Sequence, residues 1–178
     1  MKKIIPALLL TLFVAGCGSV NQTVLHPEKA KGITSWAVVM HDQYEKRDAF
    51  KSSTIDTFKD SVDAYTEQLM AIIGVGGTTQ TSLIDRIKFT LTGQHQVPIV
   101  DLKNADGVIA VSTVPSNTWI YGTYSNVLVR FINAHNNSII AQLEVENGVG
   151  LAQKDLEDMS KLVAKEVAKT LMSCWRKK

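Results

Sequence analysis

The stretches "VLVRFI" and "SIIAQLEVE", residues 127–132 and 138–146, are joined by the short polar run "NAHNNS". In the second of them Ile139, Ala141, Leu143 and Val145 alternate with Ile140, Gln142, Glu144 and Glu146. A period of two belongs to extended chain, with one dry face and one mostly wet face. Asn136 and Asn137 tolerate the positive φ that a tight turn demands, so the pair reads as an antiparallel hairpin. Upstream, "DGVIAVSTV" (Asp106 to Val114) is apolar on both faces, as expected of a central strand covered on both sides. "ITSWAVVM", Ile33 to Met40, is rich in β-branched and aromatic residues and reads as the first strand. "VPIVDL" reads as a short edge strand, because Pro98 cannot donate to a ladder on both sides.

Helical periodicity fills the remainder. Ile55, Phe58, Val62, Tyr65, Leu69 and Ile72 are spaced 3, 4, 3, 4, 3, a single apolar stripe with Ser53 and Thr54 as N-caps and Gly74 as the stop. Leu83, Ile84, Ile87 and Leu91 predict a second helix that opens at Ser82 and closes at Gly93. A third runs from about Ala152 to Trp175, with Leu156, Met159, Val163, Val167 and Leu171 on its stripe. Its acids come early and its bases late, as the helix dipole favours. The charged stretch "HDQYEKRD" after the first strand shows no apolar period and is expected to be a loop. Strand, helices, strands, hairpin and helix together predict an α+β fold: a mainly antiparallel sheet of about four or five strands with two or three helices on one face. At 178 residues, 45% apolar and 20% charged, the chain suffices for one such domain with a real core.

The first sixteen residues, "MKKIIPALLLTLFVAG", differ in kind. Two lysines precede an uncharged run from Ile4 to Ala15, too short for the about 20 residues of a membrane-spanning helix. A basic start, a short apolar run and small residues at its end form a secretory signal. Val14-Ala15-Gly16-Cys17 resembles the lipobox of bacterial lipoproteins. That resemblance implies a diacylglycerol on the Cys17 thiol, cleavage just before Cys17, and acylation of the new amino terminus. It makes Cys17 the first mature residue and the lipidation site, with palmitate-like chains as the membrane anchor. Gly18 stands where an Asp would favour inner-membrane retention, so the resemblance implies the outer membrane, with the domain in the periplasm or displayed on the surface. The expected organisation is therefore a cleaved signal peptide over 1–16, a lipidated N-terminus and flexible tether over 17–32, and one periplasmic α+β domain over 33–178. As coil, the tether "GSVNQTVLHPEKAKG" would reach roughly 20 Å.

Charge excludes one class of partner. Lys2 and Lys3 account for the whole net charge of +2, and from Cys17 onward 17 basic residues balance 17 acidic ones. A neutral body gives no electrostatic case for nucleic acid; the basic cluster Arg176-Lys177-Lys178 reads as a solvated helix end. "IIGVGGTTQTSLI" lacks the lysine of a phosphate-binding loop and is expected to be an interhelix loop. His26, His41, His95 and His135 form no zinc spacing, so neither metal nor cofactor is expected. His41, Asp42 and Glu45 read as a solvated surface cluster. No nucleophile elbow or locatable Ser/His/Asp set points to catalysis, and no catalytic residue is assigned. With Cys17 taken by lipid, Cys174 has no partner in the chain. It is either buried, against Trp175 in the last helical turn, or paired with another chain.

"SNTWIYGTYSN" crowds Trp119, Tyr121 and Tyr124 around Gly122-Thr123. These three are candidate contact residues for a partner or saccharide, since such rings suit surfaces half apolar and half wet; the alternative is that they cap the end of the core. "NADGVIAVSTV" followed by "NVLVRFINAHNNSIIAQLE" also resembles the α/β domain of the curli-secretion lipoprotein and of flagellar-associated outer-membrane lipoproteins. Ala105-Asp106 and Val127 to Ile132 carry that resemblance over about 45 residues. It implies a role in envelope assembly through an envelope protein partner; pore formation is not implied. The expected function is a non-catalytic accessory at the outer membrane. The alternatives are a peptidoglycan- or glycan-binding module or hydrolase, and an accessory of a secretion or conjugation apparatus. Oligomeric state is not legible.

Overall fold

A computed structural model describes residues 18–49, 77–115, 123–148 and 153–175. Strand β3 (Gly107–Pro115) pairs antiparallel with β4 (Tyr124–Asn133), the centre of the sheet, which in turn pairs antiparallel with β5 (Ser138–Glu146). Asn137 closes the β4–β5 hairpin at φ 56°, as its side chain type permits. β2 (Trp36–Met40) lies parallel to β3, with Trp36 opposite Gly107 and Met40 opposite Val111. β1 (Val20–Val24) completes the other edge against β5, giving the order β1-β5-β4-β3-β2. The chain is thus an α+β fold on a mixed five-stranded sheet in which only the β2–β3 pair is parallel.

Two long helices cover one face. Leu83, Ile87 and Leu91 reach it from α2 (Gly77–Phe89) and the turn beyond; Met159, Val163, Val167 and Leu171 reach it from α3 (Leu156–Trp175). The predicted stripe of α3 is this buried face: those four residues have no exposed surface, and Leu156 packs at its margin. They meet Trp36, Val38, Ile109, Val111, Val129, Phe131 and Leu143 of the sheet. Burial of each such side chain contributes about 1.5–3 kcal/mol, which makes this layer the principal source of stability.

Four expectations are corrected. "HDQYEKRD" is not a loop: His41–Ala49 is a short helix, α1. It lies against the other sheet face, where Tyr44 packs beside Val108, Ala110 and Ile132. The Tyr44 hydroxyl donates to Asn137 Oδ1 at 3.0 Å. Tyr44 is the one buried side chain among its described residues, which leaves no apolar period to read.

The second correction concerns the expected tether. Val20–Val24 is strand β1, with all five residues exposed. Backbone pairing to β5 holds it, aided by Ser19 Oγ donating to Glu146 Oε2 at 2.7 Å and Gln22 Nε2 to Ser173 Oγ at 3.2 Å. Its polar sequence hides it because side-chain burial does not stabilise it.

Third, α2 begins at Gly77 rather than Ser82, so Gly77 to Thr81 are helical and not interhelix loop. The chain then continues as a π-helical turn, Thr90–Gln94. Last, "VPIVDL" makes one bridge instead of a strand: Trp36 N donates to the Pro98 carbonyl and Val100 N to the Trp36 carbonyl, both at 2.9 Å. Pro98 serves as an acceptor, so its missing N–H costs nothing. The helix expected over Ile55 to Ile72 lies outside the described residues.

Candidate functional site

Of the residues singled out from sequence, Cys17, Trp119 and Tyr121 lie outside the described residues. Tyr124 is described and is a correction. It is 4% exposed and belongs to the main core cluster, so its ring caps the core and is no surface contact. Cys174 is a free, buried thiol whose Sγ lies 3.4 Å from the Leu171 carbonyl. Desolvation pushes its pKa up to about 11, which keeps it protonated and inert.

A polar node that the sequence reading passed over sits where β2 and β3 begin. Asp106 Oδ2 accepts from the Thr34 amide at 2.9 Å, from Thr34 Oγ1 at 2.5 Å and from Ser35 Oγ at 3.4 Å. Its Oδ1 lies 3.3 Å from His135 Nε2, across the hairpin turn. The Thr34 hydroxyl and amide bonds, with smaller help from His135 and Ser35, hold the carboxyl down at about 2. Three loop segments are thereby tied to one carboxylate, beside the main-chain bonds from Gly107 N to the Ser35 carbonyl and from Ala134 N to the Asp106 carbonyl. The node contains a Ser, an Asp and a His, but the carboxylate stands between the other two. A nucleophile relay needs the imidazole in the middle, so this arrangement orients loops rather than activating Ser35. The one sequence clue was the Ala105-Asp106 pair.

His41 also proves better placed than a solvated loop. Its Nδ1 faces Glu45 Oε1 at 3.4 Å, and its Nε2 receives Arg130 Nη1 at 3.2 Å. A guanidinium only donates, so Nε2 is the acceptor and Nδ1 carries the proton towards Glu45. Among the described residues no group of three or more His, Cys, Asp or Glu could hold a metal ion. No helix among them is long and apolar enough to cross a membrane.

Concavity is found between α2 and α3. A cavity of about 280 Å³ is bounded by Arg86 and Phe89 of α2, Thr90 and Gln94 of the π turn, His95 just after it, and Lys161 and Lys165 of α3. Phe89 is 70% exposed at its rim. Lys161 engages Glu157 at 2.8 Å and Asp158 at 3.7 Å, while among the described residues no carboxylate belongs to the wall itself. Nothing in the sequence announced this site, because its two walls are far apart along the chain.

No protein-family model matches the chain, and no curated protein matches it. Among solved structures it is similar to two PelC dodecamers from Paraburkholderia phytofirmans. One is 17% identical at a TM-score of 0.46, covering 86% of this chain and 98% of that one. The other is 16% identical at 0.43, covering 90% and 99%. A PDZ domain protein from Parabacteroides distasonis is 11% identical at 0.45; the match covers 99% of this chain and 40% of that one. At these TM-scores each is a distant likeness.

Proposed function

We propose that the chain is a lipid-anchored envelope protein that acts as a non-catalytic accessory or assembly factor at the outer membrane. The observation that carries this reading is Val14-Ala15-Gly16-Cys17 closing a charge-free run that follows Lys2 and Lys3. Two or more acyl chains on one cysteine give stable anchoring, where one chain gives only marginal binding.

The fold adds a geometric consequence. Only Gly18 and Ser19 separate Cys17 from β1, and Ser19 is already tied to Glu146 by its carbonyl and its hydroxyl. Two extended residues span roughly 7 Å. On this reading the lipid holds the sheet end that carries Gly18, Glu146 and Asn147 close to the bilayer, not at the end of a long leash. The test is membrane fractionation of Cys17→Ser beside the native protein, followed by crosslinking of the native protein in membranes. The reading requires that the variant leave the membrane fraction and that the native protein crosslink to an envelope protein. A variant that stays in the membrane removes the anchor, and a native protein without any crosslinked neighbour removes the assembly role.

A further inference from the structure

The cavity between α2 and α3 has a composition that a passive crevice does not need. Arg86, Lys161 and Lys165 converge on it, and among the described residues no carboxylate lines its wall. Like charges brought together raise the energy of the empty site. Lys161 has a partial answer in Glu157 and Asp158. Arg86 and Lys165 have no carboxylate within ion-pair distance among the described residues. An anion is therefore the complement of this wall.

Two further features narrow the anion. Exposed single hydrophobic residues are ordinary, but Phe89 is the most exposed of the large hydrophobic side chains described, and it stands on the cavity rim. An aromatic face presented beside polar groups is what a pyranose ring stacks on through its C–H bonds. The backbone is also irregular at this wall: α2 gives way to the π turn Thr90–Gln94, followed by Gln96 at φ 53°. π-helical turns are rare and recur at functional sites. Here the turn carries Thr90 and Gln94 to the cavity, and His95 follows it. These are hydrogen-bonding groups suited to sugar hydroxyls. At about 280 Å³ the cavity has room for a single ring rather than a large ligand.

We propose that this cavity binds an acidic saccharide, a pyranose bearing a carboxylate, with Arg86 and Lys165 on the carboxylate and Phe89 on the ring face. The site takes one sugar unit of a longer acidic glycan, and it does not depend on the lipid at Cys17.

The test is calorimetric titration of the full-length protein in non-ionic detergent with the tetramer of galacturonic acid. Its methyl ester, which keeps the rings and loses the charge, is the first control. Inorganic triphosphate and phosphatidylglycerol vesicles, which carry charge without a pyranose, are the others. Saturable binding of the acid is expected, weakened about tenfold for the ester and about tenfold by Lys165→Gln or Phe89→Ala, as loss of one charged or stacked contact would give. Lys165→Arg should bind like the native protein. Lys165 and Phe89 are both exposed, so the folded structure survives their replacement, and circular dichroism verifies it. Absence of saturable binding, equal binding of the ester, or an unchanged affinity in Phe89→Ala overturns the proposal. So does binding of triphosphate or of the vesicles as tight as that of the acid, which would leave a simple anion patch.

Discussion

Trp36 has no exposed surface and is held edge-on by two rings, Phe131 at 6.4 Å and Trp175 at 6.3 Å between centroids. Trp175 is fixed in turn, since its Nε1 donates to the Ile33 carbonyl at 2.8 Å. Gly107 lies opposite Trp36 in the parallel ladder, where a Cβ would fall 2.6 Å from Trp36 Cε3. A ring clamped on both sides cannot retreat, so Gly107→Ala is expected to destabilise the fold by about 2 kcal/mol in urea unfolding. A loss below about 0.5 kcal/mol would mean that the ring is loosely held.

Asp106 supplies a pH dependence at the same scale. Its carboxyl lies below the ordinary 3.8, at about 2, because the folded chain donates hydrogen bonds to the charged form. A depressed acid adds stability that is full above its unfolded pKa and is lost as pH falls through its folded one. The urea midpoint of the native protein should therefore fall between about pH 4 and about pH 2. Asp106→Asn should start lower at neutral pH and lose less over that window, as unfolding curves of the two proteins at matched pH would show. Parallel pH profiles would remove Asp106 as the source.

At the scale of elements, legibility followed what stabilises each one. The β4–β5 hairpin and α3 were readable because their burial is periodic. Leu143 and Val145 on β5, and Val163 and Val167 on α3, fall on the predicted dry faces, and none has exposed surface. β1 and α1 were not readable. β1 is held by main-chain bonds to β5 that leave no mark on its side chains, and Tyr44 is the one buried side chain described in α1. An aromatic residue also does not declare which way it faces. Tyr124, a contact candidate from its sequence neighbours, turned inward.

β1 offers its own test at Gly18. A Cβ there would lie 2.2 Å from the Glu146 carbonyl oxygen, 2.8 Å from Gly148 N and 2.9 Å from Asn147 C, all main-chain atoms that cannot rotate away. Gly18→Ala should detach the start of β1, while the layer between sheet and long helices persists. Hydrogen exchange is expected to show lost protection at Val20 to Val24 with β3 and β4 unchanged. Retained protection in β1 would mean that Gly18 is not closely packed.

For the whole molecule, the fold class and the proposed address rest on different physics. The fold class came from alternation and helical stripes, which report burial of side chains. The proposed address comes from residues 1–17, outside the described structure, and turns on the lipidation proposed at Cys17 rather than on packing. The basic cavity escaped because Arg86, Phe89 and Gln94 on one wall and Lys161 and Lys165 on the other meet only in three dimensions. In sequence each set lies within one continuous helical stretch. The central claim, that this α+β body is fastened to a membrane by its first mature residue, is most directly tested by intact-mass and N-terminal peptide mass spectrometry of protein extracted from membranes. The account predicts a chain that starts at Cys17 and carries a diacylglycerol thioether and an amide-linked acyl chain. A chain that retains residues 1–16, or one whose Cys17 bears no lipid, would contradict it.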